Sequence, residues 1–220
     1  MLLDAALLAL IVGAFAGGRI ARLREFDLRA PGLFVLAAML KIGLVILGMS
    51  GSPYGVRLGA GLNILSYLIL AVGLIANRHL WPMRVAALGV FLNFVVIAAN
   101  GGSMPVDRAL AARAGDQRMV ALLESPAYAV HKPITPQTRL RPLADVLALP
   151  RMIPQPTFMA PGSIGDIAVT IAACWLILAA LGAFGLGIAR PGDVADAGTA
   201  PDPSSQHPSR EGEQCPKSST

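Results

Sequence analysis

Apolar residues in this chain gather into long blocks instead of alternating with polar ones. The first block covers residues 2–18 and the second residues 32–49, with Lys41 near its middle. A third covers residues 58–76, interrupted only by Asn63 and Ser66, and a fourth residues 83–99. After a long polar stretch, a fifth covers residues 165–189. At ~1.5 Å of rise per residue each block reaches or nearly reaches the ~30 Å thickness of a bilayer's hydrocarbon core. The pattern predicts an all-α fold: a multi-pass bundle of five transmembrane helices over residues 1–189. Gly13 and Gly17 form a small-residue pair in the first helix that lets a neighbouring helix approach closely.

Residues 100–164, between the fourth and fifth blocks, predict an extracytoplasmic cap of short amphipathic helices. Pro105 is placed to open one piece, and Gly115 followed by Asp116 marks a stop and a new N-cap. Met119, Leu122 and Leu123 then share an apolar face. A third short helix is expected over residues 142–149, where Leu143 and Leu147 stand four apart and Pro150 ends the run. Pro150, Pro154, Pro156 and Pro161 force an extended return to the bilayer. Ser163 and Asp166 have the spacing of a capping box at the start of the last helix. Residues 190–220 hold five Pro, five Ser and three Gly, a composition expected of a disordered cytoplasmic tail.

Composition agrees with a membrane protein: 55% of residues are hydrophobic, only 14% are charged, and the mean hydropathy is +0.62. Soluble domains average about 25% charged residues. Two cysteines, Cys174 in the last apolar block and Cys215 in the tail, exclude a disulfide framework. The net charge of +5 could suggest nucleic acid, but residues 1–189 carry 15 basic against 8 acidic residues while the tail is net acidic. A basic excess confined to the loops of a bundle is what the positive-inside rule produces, so no nucleic-acid partner is expected.

The same rule orients the chain. Arg19, Arg22, Arg24 and Arg29 follow the first block, and Arg78 and Arg84 flank the start of the fourth, against Arg57 alone between the second and third. The N-terminus is therefore expected outside and the C-terminus in the cytoplasm. Asp4 precedes the first block and the arginines follow it, which is the reverse of a secretory signal, so this block is expected to be a retained helix.

Lys41 is an intramembrane charge, expensive at mid-bilayer by at least ~2.5 kcal/mol, and is expected to reach Asp4 or Asp166. Asn100, Gly101 and Gly102 close the fourth helix, and paired glycines could also bring backbone amides up to an anion. Asn100, Gly101, Gly102, His131, Asp145 and Asp166 together form a candidate polar site on the outer face, since a carboxylate with a histidine is the minimum for acid-base chemistry. The alternative is that Asp166 caps its own helix, Asp145 faces water and His131 stands alone. No metal site and no cofactor are expected.

These residues resemble a family of bacterial integral membrane proteins known as domain of unknown function 5317. The resemblance rests on Gly17-Gly18-Arg19, on Asn100-Gly101-Gly102-Ser103-Met104-Pro105-Val106, and on Ser163-Ile164-Gly165-Asp166. It implies a cell (inner) membrane location and a five-helix plan, and no activity. The function expected from the sequence is a structural or partner-binding membrane component, its partners the lipid bilayer and a membrane protein or second copy. An outer-face enzyme or a lipid-headgroup or small-molecule site is the alternative, and a transporter or channel component the third.

Overall fold

The computed structural model describes residues 2–18, 28–150 and 159–182. It is mostly helical. Four helices are long and apolar enough to cross a membrane: α2 (Pro31–Met49), α3 (Pro53–Ala76), α4 (Trp81–Ala99) and the last helix, α7 (Ile164–Leu181). The first, α1 (Leu2–Phe15), has 14 residues and is about 21 Å long, short of the bilayer core. Val35, Met39, Ile46, Val72, Phe91 and Ile171 are exposed along the long helices, as lipid-facing positions would be.

Local chemistry sets the helix ends. Proline occupies the first turn of α2, α3 and α4, where a missing N–H costs nothing. Ser52 caps α3 by accepting from the Tyr54 amide, so this helix starts five residues before the apolar block. Gly182, in the left-handed conformation, closes α7 ahead of the expected end at residue 189. The expected tail and residues 183–189 lie outside the described residues.

The helices form a row in which α1 packs on α7, α7 on α4, α4 on α3, and α3 on α2. Leu74, Leu80, Met83 and Val90 make the main buried cluster, with Phe34, Tyr67 and Val169 packed around it. At ~1.5 Å per residue, the 24 residues of α3 span about 36 Å and the 19 of α4 about 28 Å. The first turns of α3 accordingly rise past the end of α4. The segment after α4 lies against them: Gly102 abuts Ala60, and the Ala127 carbonyl oxygen would stand 2.5 Å from a Cβ at Gly55.

That segment covers one end of the bundle, but its structure is not the expected set of short helices. Two are present, α5 (Arg108–Arg113), capped by Asp107, and α6 (Gln117–Glu124), capped by Asp116 after Gly115. Pro105 does not open a helix. It sits in β1 (Met104–Val106), which pairs in parallel with β2 (His131–Pro133). The helix expected over residues 142–149 is also absent. A single 3-10 turn, Arg141–Leu143, leads into β3 (Leu147–Pro150), antiparallel to β4 (Met159–Gly162). The reason is visible at Asp145. Its amide donates to the Pro105 carbonyl and its carbonyl accepts from the Asp107 amide, so both backbone groups are taken by a neighbouring strand. An isolated two-turn helix is marginal and does not compete with such pairing.

Candidate functional site

β1 pairs with β2 on one side, where His131 stands opposite Met104, and makes a single bridge on the other, where Asp145 stands opposite Val106. Their side chains meet on one face, His131 Nε2 standing 3.9 Å from Asp145 Oδ2. That is beyond direct hydrogen-bonding distance and within reach of one bridging atom. His131 Nδ1 is held by the Tyr128 hydroxyl at 2.9 Å. Asp145 Oδ1 is buried and has no hydrogen-bond partner. Asp145 is thus buried, and His131, a quarter exposed, is held between Tyr128 and Asp145.

Burial dominates their titration. Desolvation, helped by the charge of Asp166 and opposed by Lys41, raises Asp145 to about 8. Desolvation and the nearby Lys41 ammonium lower His131 to about 4. Desolvation, with Asp116 and Asp145 adding to it, raises Tyr128 to about 12. At neutral pH the pair therefore holds one proton.

Two helix-borne groups supply the remaining field. Lys41 Nζ donates to Asn63 Oδ1 at 2.6 Å and lies 4.3 Å from the centre of the Tyr67 ring, so its bonded partner is Asn63 and not the expected Asp166. An amide and an aromatic face reached by one flexible stem satisfy the ammonium without a carboxylate in contact. Asp4 carries no described side chain. Asn63 Nδ2 in turn donates to the Gly102 carbonyl at 2.7 Å, which fixes the lysine to the turn closing α4. Asp166 Oδ2 accepts from the Ser163 amide while its own amide donates to Ser163 Oγ, the expected capping box. Its Oδ1 accepts from Asn93 Nδ2 at 2.8 Å, and Asn93 Oδ1 accepts from Ser163 Oγ.

The other candidates have structural duties. Asn100 donates to the Val96 and Arg139 carbonyls and accepts from the Arg139 amide, tying the end of α4 to a distant loop. Gly101 and Gly102 have φ of 69° and 88°, the left-handed region that favours glycine. The Gly102 amide donates to the Ile97 carbonyl, which removes it from an anion cradle. Among the described residues no three His, Cys, Asp or Glu side chains converge as a metal would need.

Four participants escaped sequence reasoning as site residues. Asn63 and Asn93 are polar residues inside apolar blocks that hydrogen-bond across helices and turns, and Tyr67 and Tyr128 gave no polar signal. The usable signals were spacings: Tyr67 stands four residues after Asn63 on α3, and Tyr128 three before His131.

Four bilayer-length apolar helices, with a buried polar cluster in the segment that covers one end, define a helical membrane protein. A family model described as "Family of unknown function (DUF5317)" matches residues 25–178, more than half of the chain, and the chain belongs to that family. The match contains Lys41, the Asn100-to-Val106 element and the Ser163-to-Asp166 element; Gly17-Gly18-Arg19 precedes it. No curated protein and no solved structure matches the chain.

Proposed function

We propose that this is a five-crossing cell-membrane protein with its N-terminus and cap outside, and that the cap encloses a site for a small polar ligand. The observation that carries the ligand reading is Asp145 Oδ1, buried without a partner beside His131 and in the field of Lys41 and Asp166. A purely structural cluster satisfies its buried acceptors, because each one left bare costs about 1–3 kcal/mol. The structural alternative keeps Asp166 as a helix cap, and that role coexists with the site. It does not account for a buried Asp145 next to a histidine.

Asp145→Asn tests the reading. Replacing a high-pKa buried carboxyl with its neutral isostere is expected to leave Tm unchanged or higher, as happens where function and not stability retains a residue. A ligand panel scored by thermal shift should stabilise the native chain and not the variant, by about 2.7 kcal/mol at a hundredfold excess over Kd. Equal shifts in both proteins, or a variant that melts several degrees early, would return Asp145 to a structural role.

The orientation has its own test. With Cys174 and Cys215 replaced by Ser, a Ser50→Cys variant in the α2–α3 turn should react with a membrane-impermeant maleimide on intact cells. A His79→Cys variant in the α3–α4 turn should react only after permeabilisation. Both positions are exposed, so a reversed pattern would invert the proposal.

A further inference from the structure

We propose that Lys41 and Asp145 together bind a zwitterionic aminoethyl-phosphate group, the phosphate on Lys41 and the primary ammonium on Asp145, carried by a lipid lying along α2. The inference rests on the ligand-site reading above and gives it a chemistry. Lys41 has three donors and uses one on Asn63, with the Tyr67 ring covering another side. No ion pair joins it to Asp145 or Asp166, although both carboxylates lie close enough to act on its charge. Asp145 has a side chain only 9% exposed and an oxygen with no donor.

An ammonium and a buried carboxyl held apart select the ligand. A simple anion placed on Lys41 faces the carboxyls of Asp145 and Asp166. A simple cation placed on Asp145 faces the Lys41 ammonium. A zwitterion satisfies both ends, and its N–H groups supply the donors Oδ1 lacks, in place of the proton that burial otherwise keeps on Asp145. A quaternary ammonium has no N–H to give.

Position in the fold argues for a lipid source. Asn63 ties Lys41 to the Gly102 carbonyl, at the turn where α4 ends and the chain enters the cap. Headgroups belong at that level, because α4 is about one bilayer core in length. α2 ends the helix row with α3 as its main neighbour, Lys41 is half-buried, and Val35, Leu36 and Met39, which precede it on α2 away from the cap, present an exposed apolar wall for acyl chains.

The test uses the full chain in detergent, with dioleoyl phosphatidylethanolamine, phosphatidylcholine and phosphatidylglycerol and with soluble O-phosphoethanolamine, scored by native mass spectrometry and thermal shift. The ethanolamine lipid is expected to bind at least tenfold more tightly than the other two lipids, and more tightly than O-phosphoethanolamine. Asp145→Asn and Lys41→Gln should each abolish the preference. The comparison among lipids on the native chain stands even if a variant fails to fold. A phosphatidylglycerol preference lost in Lys41→Gln alone would overturn the zwitterion and keep a ligand site. Tighter binding of O-phosphoethanolamine than of the lipid would overturn the lipid source. No discrimination among the lipids, with both variants behaving as the native chain, would overturn this inference, and a silent ligand panel alongside it would remove the site as well.

Discussion

Gly165→Val is expected to unfold the junction of α4 and α7, with a loss of about 2–4 kcal/mol and a Tm lower by many degrees. The two helices touch backbone to backbone there. A Cβ at Gly165 would collide with the Asn93 side chain and stand 2.6 Å from the Gly89 carbonyl oxygen, and one at Gly89 would stand 2.5 Å from the Gly165 carbonyl oxygen. Backbone atoms cannot swing aside as a side-chain tip can, so the helices must separate. Separation also breaks the Asn93 to Asp166 and Ser163 to Asn93 hydrogen bonds, which leaves buried polar groups bare. Gly61→Val is the matched control: it lies within α3, is exposed, and its added Cβ meets nothing within 4 Å. Equal melting temperatures for the two variants in detergent would show that the close crossing contributes nothing.

What the sequence made legible follows the range over which each signal acts. Apolar blocks, the Gly115–Asp116 break and the Ser163 and Asp166 box are encoded within a few residues; the structure has the break and the box, and four of the blocks as helices long enough to cross a membrane. The β pieces of the cap were hidden because pairing is decided elsewhere in the chain. Leu143 and Leu147 carry helical spacing, yet the backbone of Asp145 bonds to Pro105 and Asp107, some 40 residues away. The same remoteness hid the geometry of the candidate site. Asp145 read as a solvated acid on a helix, and only β1, by placing His131 and Asp145 on its two sides, makes it a buried one. Lys41 announced itself as a charge among apolar residues, but no spacing rule distinguishes Asn63 from Asp166 as its partner when both stand on other helices.

The pair of His131 and Asp145 should give the protein an unusual pH profile, flat in moderate acid and falling above it. An Asp raised to about 8 holds a proton in the folded state that the unfolded chain releases near 4, so its contribution is full below 4 and is lost as pH rises to 8. A His lowered to about 4 lacks a proton that the unfolded chain holds up to about 6.5, so its contribution is full above 6.5 and is lost as pH falls to 4. Between 4 and 6.5 the two slopes oppose each other and cancel. Of the pair's two slopes, that of Asp145 alone persists from 6.5 to 8, about 1.4 kcal/mol per pH unit at most. The result does not depend on which residue carries the proton, because the folded pair holds one proton throughout that range while the unfolded pair goes from one to none. The charges acting on the pair are Lys41 and Asp166, and Tyr128, raised to about 12, stays protonated. In Asp145→Asn only the histidine remains, so the decline above 6.5 should vanish and a loss of stability in acid should take its place. Melting temperatures of both proteins from pH 5 to 8 provide the measurement, and two parallel curves would mean that Asp145 is ionised and solvated in the folded protein.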